Sequence, residues 1–341
     1  YILAETKEKR INLISALEKS DIFCFDTETS GLETHESELV GISFSLKSYK
    51  AYYVPVPENY HEAEKLVAEF KPVFENPLIA KIGQNLKFDI SILKWYDIEV
   101  KGKFFDTMLA HYLIQPDMRH GMDFLAEKYL GYKTVPIEKL IGKKGKDQTS
   151  MRLVPIEEIK EYACEDADIT LQLKEKFEPE LINSGTMPLF EEIEMPLVHV
   201  LASMEAEGVK IDIKALNDYS AMLEKEIFSL TKEIYSLSGT EFNIASPKQL
   251  GEVLFDKLAI SEKAKLTKTK QYSTGEEILV KLKNKHPVIP IILNYRSLTK
   301  LKSTYVDTLP LLLNKRTGRI HTSYNQAVAA TGRLSSNNPN L

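Results

Sequence analysis

Residues 21–56 hold three runs dense in β-branched and aromatic residues, "DIFCFDT", "ELVGISFSL" and "KAYYVPV", joined by short connections. Strand signals this close together predict an antiparallel meander at one side of a sheet. A fourth run, "LIAKIG" (78–83), follows a helical pattern, "HEAEKLVAEFKPVF". Further helical patterns come after it: "LKFDISILKWY", "DTMLAHYL", "MDFLAEKYL" and the long "PIEEIKEYACEDADITLQLKEKF". That order predicts an α/β domain whose helices cover a mixed sheet. The run "NSGTMP" (183–188) is the expected boundary, giving domains 1–185 and 186–341. Beyond it the sequence reads mostly helical. "KALNDYSAMLEKEIFSLTKEIYSLSG" closes on Gly239, "SPKQLGEVLFDKL" opens on a Ser246 N-cap with Pro247 at the first helical position, and a long helix follows Pro290. A short strand is expected in "GRIHTSY" (318–324).

The 341 residues suffice for two or three domains. No stretch approaches the roughly 18–20 apolar residues of a membrane span, and no charged-then-apolar leader opens the chain. It begins at Tyr1, so it is expected to be a piece of a longer protein. Two cysteines, Cys24 and Cys164, both in apolar patterns, argue for a reducing, cytosolic setting without a disulfide scaffold or thiolate zinc site. The formal net charge is -5, but it is unevenly spread. Residues 257–333 carry 15 Lys and Arg against 4 Asp and Glu, a local excess that suits a polyanion.

The first strand raises a chemical problem. In "FCFDTETSGL" (23–32) an apolar run leads into Asp26 and Glu28, which share one face of a strand. Two neighbouring carboxylates at the carboxyl end of a strand repel, so one must protonate or a cation must be present. A strand-end turn is the bland alternative for this stretch. On the long helix, the stripe Ile159, Tyr162, Ala163, Ile169 and Leu173 includes Asp166, while Glu161, Glu165 and Asp168 fall away from it. A carboxylate facing a core needs a partner or a metal. Asp89, in the early part of its helix, also suits the helix dipole and would mean little alone. Four carboxylates without a His or Cys partner suit Mg²⁺ or Mn²⁺, and two such ions about 4 Å apart can clamp an in-line phosphoryl displacement.

"DTET" (26–29), "NLKFD" (85–89) and "YACED" (162–166) resemble, in order, spacing and residue type, the three motifs of the DEDD exonuclease superfamily, in its tyrosine-bearing branch. "FDTMLAHYL", "SPKQLGEVLF", "YRSLTKLKSTYVDTLP" and "TGRIHTSYNQAVAATGRLSSNNPNL" extend a resemblance to the bacterial DNA polymerase I family (family A) over nearly the whole chain. The resemblance implies an RNase H-like exonuclease domain followed by a mostly helical polymerase thumb and the start of a palm. It implies that Asp26, Glu28 and Asp166 hold one Mg²⁺ or Mn²⁺, that Asp26 bridges to a second, and that Asp89 reaches that second ion through water. Tyr162 would orient the attacking water, Leu32 would wedge against the terminal base, and Asn85 would contact the frayed strand. Arg296 and Lys300 would meet duplex backbone, and Arg333 and Asn340 would lie near the primer–template junction. The implied partners are the single-stranded 3′ end of DNA and a primer–template duplex, met by a monomer in the bacterial cytoplasm.

The chain stops before the family's palm aspartates, so it is not expected to polymerise as it stands. The second motif carries Phe88 where some relatives have Tyr. "IGKKGKDQ" (141–148) lacks the spacing of a phosphate loop and reads as a basic loop near DNA. His111 and His199 read as packing or surface residues. The expected function is therefore metal-dependent, proofreading 3′–5′ exonucleolysis. A catalytically silent primer–template scaffold is the alternative that a metal titration separates. An RNA-processing exonuclease is the alternative that competing RNA and DNA substrates separate.

Overall fold

The computed structural model describes residues 1–145, 148–261 and 264–341. They form two compact units, one of Tyr1–Gly208 with Thr322–Leu341 and one of Val209–His321.

The first unit is built on a mixed sheet of β1 (Ile2–Leu3), β2 (Ile22–Thr29), β3 (Leu39–Lys47), β4 (Lys50–Pro55), β5 (Ala80–Gly83) and β6 (Phe104–Asp106), in spatial order β1-β4-β3-β2-β5-β6. The meander read from the sequence is β2-β3-β4, all antiparallel, while β5 adds to β2 and β6 to β5 in parallel. β2 is thus central. Phe23 and Phe25 alternate with Cys24 and Asp26 along it, so its two faces differ in chemistry.

The Phe side of β2 meets an aromatic core. The Phe25 and Phe74 rings lie 5.0 Å apart edge to face, and Phe44 stacks on Phe70 at 5.2 Å. Phe70 and Phe74 come from the segment of α2 (Tyr60–Ala68) and α3 (Lys71–Phe74), which the sequence reads as one helix. Each fully buried Phe contributes about 1.5–3 kcal/mol, enough to hold β2 flat against this layer. α1 (Lys7–Glu18), capped by Thr6, and the two-residue β1 escape the sequence patterns because they bring only short apolar stretches of their own.

The helix α4 (Leu86–Lys94) follows β5, and α5 (Thr107–Ile114) follows β6 under an Asp106 N-cap. α6 (Met122–Leu125) runs on as a π-helical turn to Leu130, and α7 (Glu138–Ile141) is one turn long. The 29-residue α8 (Ile156–Ser184) packs across β2, β3 and β4 and against α5. It ends at Gly185, whose φ of 72° lies in the left-handed region that favours glycine.

Gly185 is not where the compact unit ends. Phe190, with Met195, Val198 and Ala202 of α10 (Met195–Glu207), joins the same core after the short α9 (Met187–Leu189). The compact unit runs on to Gly208, with α10 packed against α4. The strand expected in residues 318–324 is shorter and shifted. β7 (Ser323–Asn325) pairs with β8 (Ser335–Asn337), while Ile320 bridges to Val209 within the second unit.

The second unit is helical: α11 (Ile213–Ser238), α12 (Pro247–Gly251) with a π-helical continuation to Lys257, α13 (Glu276–Lys281), and α14 (Val288–Leu301), which continues to Val306. Ile234, Leu254, Leu279, Ile289 and Ile292 form its core. Ser246 caps α12 by accepting from Gln249 N–H, as its sequence predicts.

Candidate active site

At the end of β2 the pairing register places Glu28 opposite Gly41 of β3, and a bulge follows between Glu28 and Thr29. A β-carbon at position 41 would collide with the buried Tyr53 ring, so glycine there lets that ring lie across the sheet beside Glu28. The bulge twists the strand end away from the ladder and turns the next residues outward. Ser30, Gly31 and Leu32 then form one rim of a cavity of about 780 Å³, with Leu32 78% exposed. Asp26, Glu28, Asp89, Tyr162 and Asp166 line it, together with Gln84, Asn85 and Phe88, and α7 and the segment after it form another wall.

Asp26, Glu28 and Asp166 each offer a carboxylate oxygen, and the three atoms lie within 4.8 Å of one another. Asp26 is half-buried, while Glu28 and Asp166 are buried. Glu28 Oε1 finds no hydrogen-bond partner among the described residues. Burial pushes Asp26 up to about 7. Glu28 and Asp166 rise well above the usual carboxylate range through burial and then the charge of Asp26. Three carboxyl groups that cannot all ionise unaided, one with an orphaned oxygen, fit a hard divalent cation with oxygen ligands.

Asp89 stands beside them without joining the three. Its Oδ1 accepts from Thr27 N–H at 3.0 Å and from Thr27 Oγ1 at 2.6 Å. Burial followed by the Asp26 charge raises its pKa, against these two bonds. Tyr162, one turn before Asp166 on α8, is held far above the usual phenol range by burial and by the charges of Asp166, Glu28 and Asp26. It keeps its proton.

Asn85 takes a left-handed conformation, φ 62° and ψ 47°, at the start of α4. Asp106, buried, receives Asn85 N–H at 3.2 Å and Leu86 N–H at 2.7 Å, as well as the first amides of α5. Asp106 therefore fixes the turn that presents Asn85 and Phe88. In the sequence it reads only as the start of a helical pattern. Its reach to the β5–α4 turn leaves no local signal, because that contact spans β5 and β6.

Two carboxylates were misassigned by the helical stripe. Glu165 and Asp168 are buried rather than turned away. Glu165 accepts from Tyr132 Oη at 2.6 Å and Val135 N–H at 2.7 Å, and Asp168 from Tyr49 N–H at 2.7 Å and Tyr1 Oη at 3.0 Å. The middle of α8 is enclosed on every side, so polar partners replace the solvent face that a 3.6-residue period assumes. His111 also exceeds its sequence reading. It is buried, with Nδ1 2.8 Å from His120 Nδ1 and Nε2 2.9 Å from the Tyr129 hydroxyl, whereas His199 stacks on Phe104.

The remaining expected residues divide between the units. Arg296 and Lys300, on α14 of the second unit, share a cavity of about 600 Å³. The Arg296 guanidinium donates to Thr274 O and Oγ1. Arg333 and Asn340 are exposed on the 322–341 segment of the first unit. The basic stretch 257–333 is thus shared by two bodies. In the loop 141–148, Lys146 lies outside the described residues.

Comparison with known proteins gives two family matches along the chain. Residues 1–182 match the family model "3'-5' exonuclease", and residues 213–341 match "DNA polymerase family A". The DNA polymerase I of Pseudomonas aeruginosa is 42% identical over 96% of this chain, and that of Bacillus subtilis 36% over 93%. These alignments cover 37% and 35% of the relatives, so the chain spans little more than a third of their length. A solved structure of the POL domain of Pol1 from M. smegmatis, in complex with DNA primer-template and dNTP, matches 99% of this chain and 55% of that one. Its TM-score is 0.81 at 27% identity. No helix among the described residues is long and apolar enough to cross a membrane. The chain belongs to the DNA polymerase I family, family A, and carries that family's 3′–5′ exonuclease domain.

Proposed function

We propose that the cleft of the first unit hydrolyses the terminal phosphodiester of a DNA 3′ end, the proofreading step of a bacterial DNA polymerase I. The observation that carries this reading is the set of Asp26, Glu28 and Asp166 oxygens within 4.8 Å, with Glu28 Oε1 buried and unpartnered. Asp26, Glu28 and Asp166 would hold one Mg²⁺ or Mn²⁺, and Asp26 with Asp89 a second. When bound, the cations supply Lewis-acid stabilisation of charge on the attacking and departing oxygens.

The chain's own residues do the rest. Tyr162, protonated throughout the working pH range, donates a hydrogen bond that orients the attacking water rather than removing its proton. Thr27 holds the Asp89 carboxylate in a single orientation through two donors. Leu32 and Phe88 offer apolar surface to the terminal base, and Asn85 offers an amide to the frayed strand.

In the second unit Arg296 and Lys300 meet duplex backbone, and in the first Arg333 and Asn340 approach the primer–template junction. We place the exonuclease domain at 1–185 and the start of the polymerase region at 186–341. The whole protein is proposed to be a monomeric, cytoplasmic DNA-directed DNA polymerase.

The test is degradation of a 5′-labelled single-stranded DNA oligonucleotide with Mg²⁺, beside EDTA and the Asp26→Ala variant. A ladder shortening from the 3′ end and lost in both controls is expected. Measurable binding without a ladder would replace this reading with a silent scaffold, and faster cleavage of RNA would replace its substrate.

A further inference from the structure

The cavity above the carboxylates carries a charge imbalance. Asp26, Glu28, Asp89, Asp166 and Glu138 line it, and among its described lining residues Lys144 is the one cation. Divalent ions account for the carboxylates at its floor. They do not account for the other phosphates of a strand lying along it, which enter a cleft whose described charged lining is otherwise acidic.

Lys144 stands in a loop whose neck is closed. Thr149 N–H donates to Ile141 O at 2.8 Å, joining the end of α7 to the residue two before Met151. Next along, Arg152 anchors the far side of the neck to the sheet. Its Nη1 donates to Val56 O at 3.0 Å and its Nη2 to Leu39 O at 2.7 Å. The base of the loop is therefore fixed to the start of β3 and to the residue that follows β4, while Lys144 is exposed and borders the cavity. Its neighbour Lys143 is equally exposed and does not border it. Two adjacent lysines of the same charge thus differ in whether they face the cleft.

We propose that Lys144 is a substrate-binding residue of the exonuclease cleft, pairing with a backbone phosphate of the single strand upstream of the bond to be cut. This rests on the nuclease reading of the cleft and adds to it the cationic contact that the strand needs on the α7 side. Lysine acts here as a flexible point charge, so the contact supplies affinity without base preference. No proton or bond changes at Lys144, and its removal weakens binding while leaving the chemical step intact.

The experiment uses the full chain with Lys144→Ala, Lys144→Arg and Lys143→Ala. It measures steady-state cleavage of a short single-stranded oligothymidylate and, separately, its binding by fluorescence anisotropy in an Asp166→Asn background across salt concentrations. Lys144→Ala is expected to raise KM about five- to tenfold with kcat unchanged. It should also make the slope of log affinity against log salt shallower by about 0.7, the loss of one single-strand phosphate contact. Lys144→Arg should restore both values, and Lys143→Ala should leave them near wild type. Equal shifts from Lys143→Ala and Lys144→Ala would mean a diffuse field and overturn the proposal, as would unchanged binding by Lys144→Ala. Because binding is read without cleavage, a wild-type chain that binds through Lys144 but cuts nothing would sink the nuclease reading and leave this contact standing.

Discussion

Asp26 decides the chemistry of the cleft because it is the group whose charge reaches all the others. Its own pKa is about 7, and its charge raises those of Glu28, Asp89 and Asp166. On the proposed reading, replacing Asp26 or Asp166 by Asn would remove a cation ligand worth several kcal/mol of transition-state stabilisation. Cleavage should fall by about 10³-fold or more, measured as single-turnover rate at saturating Mg²⁺. The metal-free protein should respond in the opposite sense. A carboxyl whose pKa is raised on folding binds more protons in the native state than in the unfolded one, so its penalty is absent near pH 4 and grows as pH rises through 7. Asp26→Asn should therefore melt higher than wild type in EDTA at pH 8, by about 2–4 °C for each kcal/mol relieved. The difference should close near pH 4, and Mg²⁺ should raise the wild-type melting temperature more than that of the variant. A wild type that melts at the same temperature with and without Mg²⁺ would remove the cation from this account.

At the scale of elements, two local devices hold the cleft. The turn before α4 requires Asn85 at φ 62°, a region that asparagine visits and β-branched residues do not. Asn85→Val should destabilise the fold by about 1–2 kcal/mol in urea unfolding, and Asn85→Gly much less. If both cost the same, the amide contacts of Asn85, not its backbone, set the turn. Around α5, burial and then the neighbouring charges of His120 and Lys128 lower the pKa of His111 to about 4. Its unfolded value lies near 6.5, so as pH falls below 6.5 the unfolded chain takes up the proton first and the fold loses up to about 3 kcal/mol by pH 4. The stability advantage of wild type over His111→Gln should accordingly shrink between pH 7 and pH 4.5. A constant difference would show that His111 does not stay neutral in the fold.

Across the first unit, the segment that returns as β7 is fastened by a buried ion pair. Lys87 of α4 pairs with Glu205 of α10, and Glu205 Oε1 also accepts Tyr324 N–H at 2.6 Å. Lys87 Nζ lies 3.2 Å from Ser323 Oγ. Truncating one partner leaves the other charge buried, so Lys87→Met should cost about 3–5 kcal/mol in the unfolding transition of this unit. Lys87→Met combined with Glu205→Gln should cost less than Lys87→Met alone. Equal or additive losses would mean that the two side chains act independently.

The sequence by itself determined the strand meander, the placement of Asp26 and Glu28 on one face of β2, and the position of Asp166 on the inner side of α8. These follow from periods of two and 3.6 residues, which are local properties of the backbone. The spacing of the three motifs also carried the family resemblance. Only the tertiary structure decided how far the four acids converge: three share 4.8 Å, and Asp89 is instead held by Thr27. It also decided that Glu165 and Asp168 are buried, that Asp106 ties α4 to α5, and that the first compact unit extends to Gly208 and takes back residues 322–341. Those outcomes depend on which elements lie against one another, and a hydrogen bond across 20 or 119 residues leaves no periodic trace in the chain that forms it.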